Sequence, residues 1–292
     1  MASSAATRGG SRFRWRHVKA YLFWAFCAIS LAIIIIPAVD IIVSILRAAI
    51  PAMTPEILTQ TTAHGGLQNA ILGTLLLGVG VLVTAAPVGI LGGLYIAEFA
   101  SPRVASVLRF FSEVLSGVPS IIIGYVGYIV LVVAFHWGYS LVGGVLALAA
   151  LVVPYIVKTT EVSFSSVPRT LREGATALGL SKGLMIRKLL LPPALPGIIS
   201  GLVIALAIAT GETAPLLFTA GFSDQNPSAH IINSPLGYLT GVTYNDLQLP
   251  GGNYQALANA AAGVTIIMIL LLIFIGRLIT ARSRRMVARM DL

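Results

Sequence analysis

The chain has 292 residues, of which 57% are apolar and only 10% are Asp, Glu, Lys or Arg, and its mean hydropathy is +0.92. Soluble domains carry about 25% charged residues, so this composition excludes an ordinary soluble globule, a disordered chain and a disulfide-rich scaffold. The single cysteine, Cys27, leaves no internal disulfide and no cysteine-rich zinc site. We expect an all-α integral membrane protein, because lipid offers backbone polar groups no water to bond.

Six apolar runs are long enough to cross a bilayer core about 30 Å thick, which needs roughly 20 helical residues. In chain order they predict spans at residues 20–46, 67–97, 104–135, 141–157, 196–220 and 256–279. The first run follows a basic tail but is too long for a cleaved signal peptide. The predicted organisation is a basic tail (1–19), a six-helix transmembrane domain (20–280) and a second basic tail (281–292).

The net charge of +9 is distributed unevenly along the chain. Eighteen of the 19 Lys and Arg residues fall in the two tails and in the predicted turns after spans two and four. Only Arg47 falls on the other side, and the loop 221–255 has no Lys or Arg. The positive-inside rule therefore predicts that both termini face the cytoplasm. Topology and the attraction of anionic membrane lipid account for the basic charge, with nucleic acid a minor alternative.

The loop between spans four and five, about residues 158–195, is predicted to contain a short helix. Ser166 can cap this helix, Pro168 fits its first turn, and Gly179 suits its end. A helix held along the membrane face between two spans is well placed to receive force from a soluble partner. An amphipathic interfacial connector is the alternative.

Acids inside the predicted spans are candidates for function, because a carboxylate costs about 2.5–3.5 kcal/mol at a helix centre. Two acids fall well inside a span: Asp40, for which a structural role is favoured, and Glu212, near the middle of span five. Pro215 removes a backbone donor and predicts a helix kink beside Glu212. Glu212 and Thr213 are therefore predicted to line a substrate pathway. The alternative for Glu212 is a kink carboxylate bonded to a neighbouring helix.

Span three contains Ser116, Pro119 and Ser120 within five residues. A proline beside small hydroxyl residues predicts a bent helix, whose freed carbonyl is satisfied by serine or water. The two serines either line the pathway or form a notch for helix packing. No histidine pair has metal-ligand spacing and no Ser/His/Asp arrangement is visible, so we predict no catalytic and no metal-binding residue.

The loop after span four contains Glu173-Gly174-Ala175, then Gly179, and then Leu189-Leu190-Leu191-Pro192. This pattern resembles the signature Glu-Ala-Ala, three residues, Gly, nine residues and Ile-x-Leu-Pro, which marks permease subunits of binding-protein-dependent ABC importers. Gly174 replaces an alanine and Leu189 an isoleucine. In that family the loop docks on a cytoplasmic ATPase, so the resemblance implies a coupling helix that includes Arg172, Glu173, Gly174, Ala175 and Gly179.

Further strings are similar to the permeases of phosphate importers within this family. They lie at residues 65–74, 87–90, 95–98, 116–124 and 211–215, and the resemblance extends over about residues 65–280. It departs at Ile208, where family members often carry an arginine that would offset the charge of Glu212. A countercharge is then expected from the partner permease, from Lys158 or from Arg109.

The resemblance implies the type I ABC importer permease fold, six transmembrane helices that form half of a translocation pathway in a bacterial plasma (inner) membrane. It also implies a set of partners: a related permease subunit of the PstC type in a heterodimer, two copies of a cytoplasmic ATPase, an extracytoplasmic phosphate-binding protein, phosphate and membrane lipid. The chain has no Gly-x-x-x-x-Gly-Lys-Ser/Thr loop, so ATP and Mg are expected on the partner ATPase. We expect that this chain is not an enzyme by itself and that it does not bind a cofactor.

Several alternatives stay open on the sequence. The substrate is another oxyanion, molybdate or sulfate, or the chain is a stand-alone secondary transporter, for which inverted repeats are expected but no convincing repeat is visible. A membrane scaffold or intramembrane enzyme is disfavoured by the lack of a catalytic constellation. The loop 222–254 either meets the binding protein or is a plain connector.

Overall fold

The computed structural model describes the backbone of residues 9–288 and the side chains of residues 19–282. These residues form helices and loops and contain no β-strand, which confirms the all-α prediction for this part of the chain. The α-helices are α1 (Gly9–Ala49), α2 (Pro55–Thr59), α3 (Gln68–Glu98), α4 (Pro102–Ser116), α5 (Ser120–Gly127), α6 (Leu141–Ser165), α7 (Arg169–Ala177), α8 (Lys182–Met185), α9 (Leu191–Gly211), α10 (Ala214–Thr219), α11 (Leu239–Asp246) and α12 (Gly252–Ala288).

The chain divides into two compact units, Met1–Ala48 and Ala49–Leu292. The first unit consists of α1, which begins at Gly9, so the second half of the predicted basic tail is helical. Residues 1–8 of that tail and 289–292 of the C-terminal tail lie outside the described residues. Apolar side chains of α1 such as Trp24 and Ile36 are exposed, which suits a helix surrounded by lipid.

Five helical stretches of the described chain are long and apolar enough to cross a membrane, and a bent pair provides a sixth. The multi-span prediction is therefore confirmed. Span four is longer than predicted, because α6 continues to Ser165 and carries Lys158 on its last turns. Span five begins early, at Lys182, and enters α9 through the π-helical segment Ile186–Leu190. The loop between them shortens to residues 166–181, which we call the α7 loop.

The third predicted span, residues 104–135, is not one helix. Pro102–Ser116 and Ser120–Ala134 bend by 93° at a break that contains Pro119. The first half is α4, an amphipathic helix that carries Arg103, Arg109 and Glu113. The second half is α5, extended by the π-helical segment Tyr128–Ala134. The two halves are long and apolar enough for a membrane span only when they are taken together.

Contacts on either side of α5 show that this short segment passes from one face of the bundle to the other. Before it, Arg109 pairs with Glu161 near the end of α6. After it, the Trp137 carbonyl accepts a bond of 2.7 Å from the Asn233 amide, and Ser140 caps the start of α6. A helix of 25 residues such as α6 is about 37 Å long. The chain therefore crosses between Arg109 and Trp137.

The core of the second unit lies where α3, α6, α9 and α10 pack together. It includes Leu77, Val81, Ala85, Val145, Leu148, Val152, Ile156, Ala205, Ala209 and Leu216. Glycines allow α3 and α6 to approach closely, since a Cβ at Gly93 would lie 2.5 Å from the Val157 carbonyl oxygen. We call the end of this bundle with Glu98, Glu161 and α7 the basic end, and the end with Asn69 and Ser140 the opposite end.

Part of the loop after span five folds back into the bundle at the opposite end. Tyr238 and Leu239 are buried, and Tyr238 joins the main core cluster. The Asn69 side-chain amide donates to the Ser223 carbonyl at 3.0 Å, and the Thr74 hydroxyl accepts from the Leu239 amide at 3.0 Å. We call residues 236–240 the returning segment. The returning segment packs into the bundle and does not merely connect two helices at the surface.

Candidate functional site

Span five breaks at Glu212, where the sequence predicted a kink. Helix α9 ends at Gly211, α10 begins at Ala214, and Glu212 between them has an extended backbone with φ −74° and ψ 140°. Pro215 has no N–H with which to bond the Gly211 carbonyl, so a continuous helix would lose a bond here. The break exposes backbone groups of Glu212 to other partners.

Thr240 of the returning segment occupies this break. Its hydroxyl donates a hydrogen bond of 2.8 Å to the Glu212 carbonyl oxygen. The Glu212 side chain is half-buried, and no other described side chain forms an ion pair or hydrogen bond with its carboxylate. A carboxylate in this state retains its full capacity to accept hydrogen bonds. The sequence had no signal for Thr240, which follows Glu212 by 28 residues.

Helix α5 packs directly against α10, beside the break. A Cβ at Gly124 would lie 2.6 Å from the Pro215 Cα atom, so only glycine permits this approach. Ser120 stands one helical turn before Gly124, while Glu212 and Thr213 stand just before α10. The structure therefore brings three of the four predicted pathway residues to the same pair of helices.

Ser116, the fourth predicted pathway residue, lies apart from this pair of helices. It ends α4, and its hydroxyl donates to the Ser112 carbonyl at 2.8 Å. It lines a small cavity of about 70 Å³ at the basic end together with Arg109, Lys158 and Glu161. Ser116 is therefore placed among charged side chains near the α4–α6 contact, and not beside Glu212.

The two cations that the sequence offered as countercharges for Glu212 already have acidic partners. Arg109 Nε lies 2.6 Å from Glu161 Oε1, and Lys158 Nζ lies 3.8 Å from Glu113 Oε1. Glu161 is a buried acid near the end of α6, in the part of the helix that continues past the predicted end of span four. It was missed because Lys158 appeared to end the apolar run. A buried carboxylate is tolerated here because Arg109 neutralises it.

The α7 loop contains the short helix that the sequence predicted, with a different start. Pro168 precedes its first residue and provides no side-chain cap. The prediction of Ser166 as the cap was wrong, since its hydroxyl donates to the Ser163 carbonyl at 2.8 Å and closes the end of α6. Gly179 follows the helix with φ +66°, a left-handed conformation that favours glycine and ends the helix.

Most of the predicted coupling residues lie on the outward face of α7. Glu173, Gly174 and Gly179 are exposed, and a Cβ at Gly174 would meet no atom within 4 Å. Leu178 on the same stretch is 79% exposed. Ala175 instead packs into a buried cluster with Phe164, Val167, Met185 and Leu190. The outward face is thus available to another polypeptide, while Ala175 holds α7 to the bundle.

Arg172 points toward the bundle, unlike the exposed coupling residues. Its Nη2 atom lies 2.6 Å from Glu98 Oε1, and its guanidinium also donates to the carbonyls of Val167 and Phe164, each at 2.7 Å. The Glu98 side chain is only 7% exposed. Arg172 therefore joins α7, the end of α6 and the end of α3. Glu98 was not predicted as a functional residue, although an acid at the end of an apolar run such as α3 is a sequence signal for such a pair.

Comparisons with known proteins identify the family of this chain. Residues 89–288 match the family described as binding-protein-dependent transport system inner membrane component. A phosphate transport system permease protein PstA 2 of Mycobacterium bovis is 46% identical over 92% of this chain and 90% of its own length. The PstA of Haemophilus influenzae is 36% identical over 93% of this chain and 97% of its own.

A solved structure shares the fold at low sequence identity. The MetNI methionine ABC transporter in an inward-facing conformation contains a chain that is 20% identical, with a TM-score of 0.60, over 79% of this chain and 99% of that one. At this identity the likeness concerns the fold alone. It confirms the predicted type I ABC importer permease fold.

Proposed function

Because the chain belongs to the family of binding-protein-dependent transport system inner membrane components, and within it to the permeases named PstA, we propose that it is the membrane permease subunit of an ATP-driven importer of inorganic phosphate. The observation that carries this proposal is the 46% identity over 92% of the chain to a permease named for phosphate transport. The chain would form half of the pathway, with a related permease subunit of the PstC type forming the other half.

The outward face of α7 is proposed to dock on one of two cytoplasmic ATPase copies, which bind ATP and Mg. The exposed positions of Glu173, Gly174 and Leu178 support this role, since a docking surface must be accessible. The basic end would then face the cytoplasm of a bacterial plasma membrane, with both termini inside, in agreement with the positive-inside rule. The opposite end would receive phosphate from an extracytoplasmic binding protein.

The Glu212 carboxylate is proposed to act as a hydrogen-bond acceptor for phosphate in the pathway. Phosphate at neutral pH still carries a proton, and its P–OH group can donate a charge-assisted hydrogen bond to a carboxylate. Sulfate is fully deprotonated and would meet only repulsion, which is a recognised route to specificity. The absence of any described partner for the Glu212 carboxylate supports this role.

Transport by the assembled complex in sealed vesicles tests the proposed function. We expect uptake of labelled inorganic phosphate that requires ATP and the binding protein and that resists competition by sulfate or molybdate. Uptake without ATP by the purified chain alone would instead indicate a secondary transporter. Strong competition by sulfate or molybdate would indicate a permease for another oxyanion.

Copurification tests the docking role of α7. Gly179→Ala forces a side chain into a left-handed conformation that costs about 1–2 kcal/mol, so we expect it to distort α7 and weaken ATPase copurification. Gly183→Ala is the matched control, because Gly183 lies in α8 with open space around its Cβ position and no positive φ. Equal ATPase recovery with both variants would contradict docking through α7.

A further inference from the structure

Three helices meet at a single guanidinium at the basic end. Arg172 of α7 contacts both Glu98 carboxylate oxygens, with distances of 2.6 Å from Nη2 to Oε1 and 3.4 Å from Nε to Oε2. Bonds of 2.7 Å to the Phe164 and Val167 carbonyls anchor the same group at the end of α6. Charge-assisted bonds with the fork geometry of arginine resist reorientation more than a single surface contact does. A displacement of α7 must therefore move the end of α3 or break this set of bonds.

A second contact joins the same end of α3 to α8, which directly follows the α7 loop. The Lys182 ammonium lies 5.2 Å above the centre of the Phe99 ring, within the range of a cation–π interaction. Phe99 directly follows Glu98 and stacks on Tyr95 of α3 at a ring separation of 6.5 Å. Arg172 of α7 and Lys182 of α8 thus both contact the end of α3.

The other end of α3 holds the returning segment. The Thr74 hydroxyl accepts a hydrogen bond from the Leu239 amide of this segment, and the completely buried Asn69 donates to the carbonyl of Ser223, which lies earlier in the same loop. The next residue after Leu239 is Thr240, which bonds the Glu212 carbonyl in the break of span five. One helix of 31 residues, about 46 Å long, therefore contacts the α7 loop at one end and the surroundings of Glu212 at the other.

We propose that Arg172 and Glu98 form a positioning pair that transmits the displacement of α7 along α3 to the returning segment and thereby to Glu212. The inference rests on the proposed function, since it assigns the route by which ATP hydrolysis reaches the pathway. Arg172 thus acts within the permease, while the exposed face of α7 meets the ATPase. Experiments can distinguish the two roles. Loss of the exposed face of α7 should weaken ATPase binding, whereas loss of the Arg172–Glu98 pair should lower the phosphate uptake obtained per ATP hydrolysed.

The test measures phosphate uptake per ATP hydrolysed by the assembled complex in vesicles, for Glu98→Gln, Arg172→Gln and the double variant. We expect each single variant to retain the ATPase in the complex and to lower this ratio about tenfold. The double variant should be no worse than the poorer single variant, because both substitutions remove the same contact. Arg172→Lys, which keeps the charge but loses the fork, should lower the ratio as well.

Arg103→Lys is the matched control, since Arg103 is an exposed arginine on α4 for which the described residues provide no ion pair. It should leave the ratio at the wild-type value. If the Gln variants fail to assemble, the same ratio is measured for Glu98→Asp and Arg172→Lys, which retain the charges.

Three results would overturn the inference. One is an unchanged ratio in the single variants, and another is a double variant whose loss is the product of the two single losses. The third is a parallel fall of thermal stability, ATPase activity and uptake with the ratio preserved, which is the behaviour of a purely structural contact. Failure of the wild-type complex to take up phosphate with ATP would instead refute the proposed function, so the two failures are distinguishable.

Discussion

The hydroxyl of Thr240 donates a 2.8 Å hydrogen bond to the carbonyl oxygen of Glu212, so a residue of the returning segment completes the backbone of a broken helix. The bond satisfies the Glu212 carbonyl, which lies next to the Gly211 carbonyl whose helical donor Pro215 removes. It also couples the position of Glu212 to a segment that is held by α3. The geometry of the candidate pathway therefore depends on a contact between residues far apart in the chain.

We expect Thr240→Val to lower the free energy of unfolding by about 1 kcal/mol, because it leaves the Glu212 carbonyl without its partner. Phosphate uptake should fall with it, since the backbone around Glu212 is no longer held. Thermal unfolding in detergent and uptake in vesicles measure the two effects. Thr243→Val is the control, because the Thr243 hydroxyl donates to the Leu239 carbonyl at 3.0 Å and to the Ala258 carbonyl of α12 at 3.5 Å, away from Glu212. Equal effects of both substitutions would show that the bond to Glu212 has no special role.

Glu212→Gln keeps the shape of the side chain and removes its charge. We expect phosphate uptake to fall about tenfold, the value of one lost charge-assisted bond, and competition by sulfate to rise as repulsion disappears. Competition assays with labelled phosphate measure both. Glu56→Gln, on the exposed helix α2, makes the same change away from the break. If phosphate uptake and sulfate exclusion are unaltered in Glu212→Gln, the Glu212 carboxylate has no role in the pathway.

Gly124→Ala tests the packing of α5 against α10. The added methyl group would lie 2.6 Å from the Pro215 Cα atom, so backbone must shift. Overpacking of this kind costs about 1–3 kcal/mol, and we expect a lower melting temperature. Gly174→Ala is the matched control because its Cβ position is open, and it should leave the melting temperature unchanged or raise it slightly. An unchanged melting temperature in Gly124→Ala would mean that α5 and α10 are not in close contact.

Asp246 at the end of α11 should make stability depend on pH. It is 4% exposed, and its Oδ2 atom has no described hydrogen-bond partner. Burial and the nearby Asp224 carboxylate raise the pKa of Asp246 to about 6. An unfolded aspartate titrates near 3.9, so between about pH 4 and 6 the folded protein binds more protons than the unfolded chain. The free energy of unfolding therefore falls as the pH rises through this window.

Asp246→Asn removes this titration. We expect it to stabilise the protein more at pH 8 than at pH 4, by about 1–3 kcal/mol. Thermal unfolding at the two pH values measures the difference. Asp224→Asn should reduce the pH dependence only in part, because burial of Asp246 remains the larger cause. Equal stabilisation by Asp246→Asn at both pH values would contradict the raised pKa.

The sequence predicted the helical class, the apolar spans and the end of α7, because these depend on local rules. Apolar length determines a span, and Gly179 ends a helix wherever a left-handed residue is required. The bend beside Pro119 was expected for the same reason, although its angle was not. Each of these features is decided by residues close together in the chain.

Features that depend on partners distant in sequence were not predictable. Lys158 appeared to end span four, but α6 continues past it to Ser165, and the buried Glu161 on that part of the helix pairs with Arg109. Arg172 looked like a docking residue beside Glu173, and only the position of Glu98 shows that it faces inward. The return of Thr240 to Glu212 likewise depends on how α3 anchors the loop, which no local pattern encodes.

The crossing formed by α5 has a consequence for the surrounding bilayer. Helix α5 has 8 residues and its π-helical extension 7. Together they reach at most about 22 Å, the length of an α-helix with as many residues, whereas the hydrocarbon layer is about 30 Å thick. Such hydrophobic mismatch is relieved when lipids compress or when a neighbour shields the short side, at a fraction of a kcal/mol per Å. The acyl-chain length of the lipids should therefore affect this protein. A bilayer of shorter-chain lipids should need less thinning around α5 than a bilayer of longer-chain lipids.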